Sequence, residues 1–537
     1  MAHAPKPEIQ LFVRPASGII RAWSLYDAWI YAFLSVNIVT LGFYIWTFCS
    51  FIPAGNPILA TVLAMIFLTF QNIVYTALVT SMPRAGGDYV WQSRILGGFW
   101  GYFLSWPGWV FCLWLWAPIY GNMLCWLLFS PLAALMGNVE LADWWSSPMG
   151  QFVSTIIVII WVSIMVGLGM KWYARLQKWL FYAAIIGTIL FVIPLLNVSP
   201  TTFSSKFDSF IARLLPNEEI TYKGIIDTAT REVGGFAHLY SFSYSTIGPS
   251  FALIPMLLFW IMWTVWGSPL FGEVRGAGDV RRVFIVFQAA LIAAGLHAIL
   301  QWILFDKAVG WTFYQSLNYL YYVGSGSRQW ISSPTLLAAI LMDNALLAIP
   351  MIILMSGWFW SWSGTLFLSS TRVIFATAFD RAFPKIFAEV KTRFNTPVNA
   401  LLLMTIPSLV ITFLYFFVPG FMTLTLDATF AIAIAYFGSG IACLLFPLRR
   451  PSLFNANPLA RYKPVVIISS IIYIVFLLYI FWLWAVDPVY GVNNPYSAGF
   501  MIFLYILAAA LYLSIKYYRK KKEGFDLSRV YEVIPVE

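Results

Sequence analysis

The residues of this chain best placed to do chemistry are polar groups that interrupt apolar stretches. In SVNIVTLG, Ser35–Gly42, the residues Ser35, Asn37, Thr40 and Gly42 stand where a hydrocarbon-facing helix would carry Leu or Val. Thr40 is placed to cap a second half-helix, and Gly42 to let backbone or ligand approach closely. In FWIMWTVWGSPLFGEV, Phe259–Val274, the run Gly267-Ser268-Pro269 is a helix-start signature, with Ser at the cap and Pro in the first helical position. Pro269 also disfavours helix at the residue before it. The expectation is two half-helices with a gap near Trp263–Ser268. Interrupted helices free peptide groups: N–H groups at a helix N-terminus suit a carboxylate, and unwound carbonyls suit an ammonium group or a cation. An amino acid zwitterion carries both charges. The plainer alternatives are small-residue helix contacts for the first stretch and a proline kink for the second.

Other chemistries are excluded by what the chain lacks. Cys49, Cys112, Cys125 and Cys443 all fall in apolar stretches and none forms CxxC, so neither a disulfide framework nor a zinc site is indicated. Of the histidines His3, His238 and His297, only the last is in an apolar stretch, so no membrane pair can clamp a haem. A membrane redox subunit, which 26 Trp and 28 Tyr would suggest, thus lacks the haem ligands it would need and is kept as a reading from another class. No paired nucleophile and base or metal cluster falls at membrane depth, so no enzyme activity and no cofactor are expected. No G-x-x-x-x-G-K-[ST] motif marks an ATP engine.

The elements that must position these groups are membrane spans. The 537 residues are 61% hydrophobic and 10% charged, far below the roughly 25% charged of soluble chains. Twelve apolar segments of about 20 residues each can cross the hydrocarbon: 26–50, 57–80, 98–130, 152–170, 176–197, 250–272, 283–305, 346–370, 398–418, 422–446, 464–485 and 497–517. Span 3 is overlong and is expected to continue into an outer helix. With both termini inside, six of the 32 Lys and Arg fall outside, four of them in the long loop 198–249, and long loops count little in the positive-inside rule. The net charge of +10 thus marks topology rather than nucleic acid binding. The tail KYYRKKK, Lys516–Lys522, suits inner-leaflet headgroups. Residues 1–22 show no signal peptide, so the first span is expected to be a retained insertion signal. The expected divisions are a cytoplasmic segment 1–25, spans 1–5 over 26–199, an outer loop 200–249, spans 6–10 over 250–446, spans 11–12 over 447–517 and a basic tail 518–537. Spans 1 and 6 each lead a set of five, and interrupted segments in corresponding positions of two halves point to an inverted-repeat transporter with a midplane site.

Several stretches then carry a resemblance. SVNIVTLGFY (35–44), MPRAGGDYVWQSR (82–94), GMKWYARLQ (169–177), GEVRGAGDVRR (272–282) and SSTRVIFATAFDRAFPKIFAEV…TPVNA (369–400) are similar to motifs of the amino acid–polyamine–organocation superfamily. The loop motif at 82–94 is the most specific match. The resemblance covers roughly 20–450. It implies an all-α polytopic membrane protein of twelve spans with a five-plus-five inverted repeat, the leucine-transporter-like fold, and broken spans 1 and 6. It implies a plasma-membrane permease that moves amino acids or related small amines by alternating access, with spans 1, 2, 6 and 7 rocking as a bundle.

Carried over by position, the carboxylate loop falls on Thr40, Leu41 and Gly42, and the ammonium-side loop on Trp263, Thr264 and Val265, with Trp266, Gly267 and Ser268 beside it. Where the family often has Gly-Ser-Gly, only Gly42 is glycine here, and Trp263 replaces a usual Gly. No carboxylate stands near Val265 for a dibasic substrate, and the two Trp residues favour an apolar or aromatic side chain. Another solute, such as a polyamine or nucleobase, is the alternative, and a channel is the rival of a different class.

Coupling stays open among sodium, proton and exchange. Sodium would sit between span 1 and the hydroxyls of Ser361, Ser363 and Thr365 on span 8; ordinary helix packing is the other account of those hydroxyls. Asp427 lies about five residues into span 10, so roughly 8 Å deep in a helix, and is placed as a gate or proton site or as a hydrogen-bonded acid at the vestibule. Arg94, Glu273 and Arg372 are placed either as a cytoplasmic gate or as interfacial ion pairs, and Asp27 as interfacial. Gln71, Asn72, His297 and Gln301 are expected to make interhelical hydrogen bonds. The outer loop is expected to form a lid or an oligomer contact.

Overall fold

The computed structural model describes residues 18–534, apart from 241, 326, 343, 392, 426 and 427. Asp427 lies outside the described residues. Among the described residues, twelve helices are long and apolar enough to cross a membrane: Leu25–Phe51, Pro57–Ser81, Gly98–Leu135, Pro148–Gly167, Met170–Leu196, Tyr244–Glu273, Val280–Ala308, Ala345–Phe379, Val398–Phe417, Phe421–Arg449, Pro458–Val486 and Pro495–Glu523. They are spans 1 to 12, and the chain is an all-α polytopic membrane protein. An even number of crossings puts the two ends of the described chain on one face, called the terminal face; the opposite one is the far face.

Local chemistry sets the helix starts. Span 1 opens on a capping box, in which Ser24 Oγ accepts the Asp27 N–H and Asp27 Oδ2 accepts the Ser24 N–H. Spans 2, 4 and 12 begin with Asn56-Pro57, Ser147-Pro148 and Asn494-Pro495, where the capping side chain accepts a backbone N–H and proline sits where no donor is needed. Span 4 therefore starts at Pro148, ahead of the apolar run at 152. Span 12 outlasts its apolar part to Glu523 because Lys and Arg are good helix formers. Span 3 is long, as its sequence indicated. It contains two π-helical turns, Pro107–Cys112 and Cys125–Phe129, and a separate helix, Val139–Ser146, follows it. Pro107 lacks an N–H, so the hydrogen-bond ladder shifts where the first of these turns begins.

Burial sorts the spans into centre and rim. In an 18-residue apolar window, 89% of span 1 and 83% of span 6 are buried, against 22% of span 12 and 28% of span 9. Spans 1 and 6 are therefore central. The rim spans show lipid-facing stripes at helical spacing, such as Leu402, Ile406, Val410 and Phe413 on span 9. Between spans 5 and 6 lie helices Pro200–Leu214 and Tyr222–Val233, the second packed on Trp311–Tyr322 from the span 7–8 connection. All four cysteines are buried, and none is in a disulfide.

Candidate functional site

Span 1 leaves α-helical geometry at Asn37. Helix Leu25–Val36 ends there with Asn37 in the left-handed region (φ 41°), and a π turn, Ile38–Gly42, follows. Asn tolerates this conformation because its short amide can bond locally. Asn37 Oδ1 accepts the Thr40 N–H at 3.0 Å, Nδ2 donates to the Trp358 carbonyl of span 8 at 3.1 Å, and its own carbonyl accepts the Gly42 N–H at 2.9 Å. The capping side chain is thus Asn37, not Thr40. Thr40 contributes a backbone N–H, and its hydroxyl is buried without a hydrogen-bond partner. Ser35 is spent locally, donating to the Tyr31 carbonyl at 2.7 Å. At Gly42 an added Cβ would stand 3.1 Å from Trp260 Nε1 and 3.2 Å from Trp46 Cζ2, so glycine is what lets these rings approach.

Span 6 is α-helical over Tyr244–Ile261 and then tightens into 3-10 turns, Met262–Val265 and Ser268–Glu273, with Trp266 and Gly267 between them. The second part is a 3-10 turn where a half-helix capped by Ser268 was expected. Ser268 Oγ makes no cap bond and is buried without a partner. Two span 2 side chains brace the first turn: Gln71 Nε2 donates to the Met262 carbonyl at 3.2 Å, and Asn72 Oδ1 accepts the Thr264 hydroxyl at 3.0 Å. Trp263 Nε1 donates to Phe259 O at 2.7 Å, Trp266 Nε1 donates to Thr365 O at 3.0 Å, and Trp266 O accepts the Ser369 hydroxyl at 2.9 Å. Val265 is buried among them.

The two stretches are neighbours. Leu25–Val36 packs on Met262–Val265, and Ile38–Gly42 packs on Tyr244–Ile261, on span 7 and on Gly357–Ser363 of span 8. Around the π turn stand Trp46, Trp260 and Trp302, with Trp46 centred 5.5 Å from Trp260 and 4.6 Å from Trp302. The indole N–H of each is buried without a hydrogen-bond partner, as is the Thr40 hydroxyl. A second ring cluster joins Trp263 and Trp266 to Trp109 and Trp116 of span 3 and to Tyr436 of span 10. Sequence reasoning missed Trp46, Trp260 and Trp302. The 26 Trp were too many for any one to stand out, and only the fold shows which converge.

The other sequence-designated residues divide. Ser361 and Ser363 lie in the span 8 segment against the π turn, each donating back to a carbonyl of its own helix. Thr365 falls in the next segment, beside Trp266. Among the described residues, no group of three His, Cys, Asp or Glu could hold a metal. Glu273 and Arg372 meet in a two-pronged ion pair, 2.7 Å and 3.2 Å, both fully enclosed. Arg94 does not join them. It pairs with Asp380 at 2.8 Å and stacks on Tyr531 of the C-terminal segment Leu527–Glu532. It also lines a cavity of about 480 Å³ together with Arg449, Arg450 and Lys516. Asp27, placed by sequence at the interface, is buried and paired with Lys178 at 2.8 Å.

A family model described as amino acid permease matches residues 27–511. No curated protein matches the chain significantly.

Proposed function

The chain belongs to the amino acid permease family and is a membrane transporter, and from that premise we propose that it carries amino acids or related small amines by alternating access around the non-α stretches of spans 1 and 6. One observation carries this reading. The Thr40 hydroxyl lies in the Asn37–Gly42 turn, the Trp260 and Trp46 rings close on Gly42 and Trp302 packs on Trp46, and this hydroxyl and the three indole N–H groups are buried without partners. Each such group costs about 1–3 kcal/mol when left unpaired, and a polar solute that accepts from them recovers that cost. A carboxylate is such an acceptor. The cluster of Trp109, Trp116, Trp263, Trp266 and Tyr436 supports an apolar or aromatic side chain beyond it. The excess of Lys and Arg at the terminal face supports cytoplasmic termini.

The test is uptake by the purified protein in liposomes, offered a radiolabelled mixture of the common L-amino acids. Saturable uptake is expected, and Thr40→Val should raise the half-saturating concentration roughly 10-fold by deleting one hydrogen bond to a charged group. A bound solute should also raise the melting temperature in a screen of amino acids, amines and nucleobases. Flux that rises linearly without saturation would replace this reading with a channel. A screen in which only nucleobases stabilise the protein would replace the solute.

A further inference from the structure

Asp88 opens the helix Asp88–Ile95 between spans 2 and 3 and is fully buried. Tyr75 of span 2 and Ser439 of span 10 each donate a hydroxyl to its Oδ1 at 2.6 Å, and the Trp109 indole of span 3 donates to Oδ2 at 3.1 Å. All three donors are neutral. The titratable groups that face the carboxyl are Tyr75, Tyr436 and Tyr473. Spans 2, 3, 10 and 11 carry Lys and Arg only at their ends, at Arg449, Arg461 and Lys463. On Asp88's own helix Arg94 is taken by Asp380, Arg372 of span 8 is taken by Glu273, and Tyr531 stacks on Arg94. Burial raises the carboxyl to about 6, against the pull of the hydrogen bonds from Ser439, Tyr75 and Trp109.

The carboxyl is also wired to span 6. Just before it, the Gly86 N–H donates to the Pro269 carbonyl at 3.0 Å, and at Gly87 (φ 45°) an added Cβ would stand 2.8 Å from Pro269 N. Its donor Trp109 is centred 4.6 Å from Trp266, in the non-α part of span 6. A shift of span 6 therefore presses on both the loop that holds Asp88 and one of its three donors. Losing a donor favours the protonated acid, and regaining it favours the carboxylate.

We propose that Asp88 binds the proton that couples to solute movement in this chain. One proton from water on one side joins a carboxylate oxygen when the donors on spans 2, 3 and 10 part, and it leaves to water on the other side when they close. This rests on the transporter reading, and two measurements keep the failures apart. Infrared difference spectra of the purified protein, taken between neutral and acid pH without solute, should show the C=O band of a protonated buried carboxyl that disappears in Asp88→Asn. Uptake of the labelled amino acid mixture into liposomes should rise on acidification in the wild type, be flat with pH in Asp88→Asn, and regain pH dependence in Asp88→Glu. Tyr75→Phe removes one donor to the charged form and should move the band's midpoint up by roughly one pH unit; this variant decides the matter if Asp88→Asn does not fold. A band that survives Asp88→Asn or does not move in Tyr75→Phe overturns the proposal, and so does an unchanged pH profile of uptake. Absence of amino acid uptake by the wild type would sink the proposed solute, whereas a missing infrared band would overturn the proton site whatever the solute.

Discussion

The two faces of the molecule are closed by different chemistry. At the terminal face, Arg372 and Glu273 pair with 0% and 1% exposure, Arg94 and Asp380 with 2% and 1%, and Lys178 and Asp27 with 34% and 6%. Backbone joins in: the Trp23 N–H donates to Glu273 O at 3.0 Å, and the Arg275 N–H donates to Trp23 O at 2.9 Å. At the far face, Arg328 bridges Asp143 at 3.1 Å and Glu218 at 2.6 Å from the connections after spans 3 and 5, with 27–42% of each side chain exposed. Neutral contacts add to it: the Thr47 and Tyr322 hydroxyls meet at 2.8 Å and the Phe48 and Tyr322 rings stack 4.8 Å apart. A buried pair is dear to make and dearer to break on one side, whereas an exposed pair is worth about 0–1 kcal/mol. The far face is therefore the cheaper one to open.

That contrast predicts a graded series. The largest effect belongs to Arg372→Ala, which strands Glu273 in an enclosed site and should lower stability by about 3–5 kcal/mol, read as early thermal unfolding in detergent. Adding Glu273→Gln should recover most of the loss, and a single variant that melts like the wild type would erase the distinction between the faces. Arg94→Ala should cost less than Arg372→Ala, because Arg94 itself lines an open cavity with Arg449, Arg450 and Lys516, where water and neighbouring cations are at hand, whereas Arg372 is fully enclosed. Lys178→Ala should cost about 1 kcal/mol, since Lys178 is one-third exposed. The smallest change in stability belongs to Arg328→Ala, under about 1 kcal/mol, with faster amide exchange confined to Trp311–Tyr322 and the helices beside it.

Acid sharpens the comparison. The hydrogen bond from Arg328 holds Glu218 below the usual carboxylate range. The stability it lends is present above the unfolded-state value and is lost as pH falls through the lowered folded value, so acid loosens the far face. Asp88 has the opposite sign. Burial raises it, so its contribution is full below the unfolded-state value and fades as pH rises through about 6. With amide exchange corrected for its intrinsic pH dependence, Asp88–Ile95 should gain protection as pH falls through about 6, whereas exchange near Glu218 should speed up only below the ordinary carboxylate range; loosening of both in the same pH window would contradict the assignment.

Much of the frame was legible in the sequence, because apolar runs long enough to cross hydrocarbon have few other uses. The sequence grouped Arg94, Glu273 and Arg372 at the span ends without assigning partners; in the fold Arg372 pairs with Glu273, fully enclosed, and Arg94 with Asp380. What escaped were features decided by convergence. In the first span the sequence favoured Thr40 as the cap, but the turn needs a residue that accepts a positive φ and also bonds to span 8, and Asn37 does both. In the sixth, Gly267-Ser268-Pro269 signalled a new helix, yet only a 3-10 turn follows before Glu273 is held by Arg372. Asp88 passed as one letter of a loop motif. An acid's burial, and the neutrality of its donors on three spans, cannot be read from its neighbours in the chain.

The enclosed cysteines have a practical consequence. With Cys49, Cys112, Cys125 and Cys443 all buried, the native thiols should be silent toward water-borne maleimides. Reporter cysteines introduced one at a time along either face can then be labelled against a dark background, with the wild-type sequence itself serving as the blank.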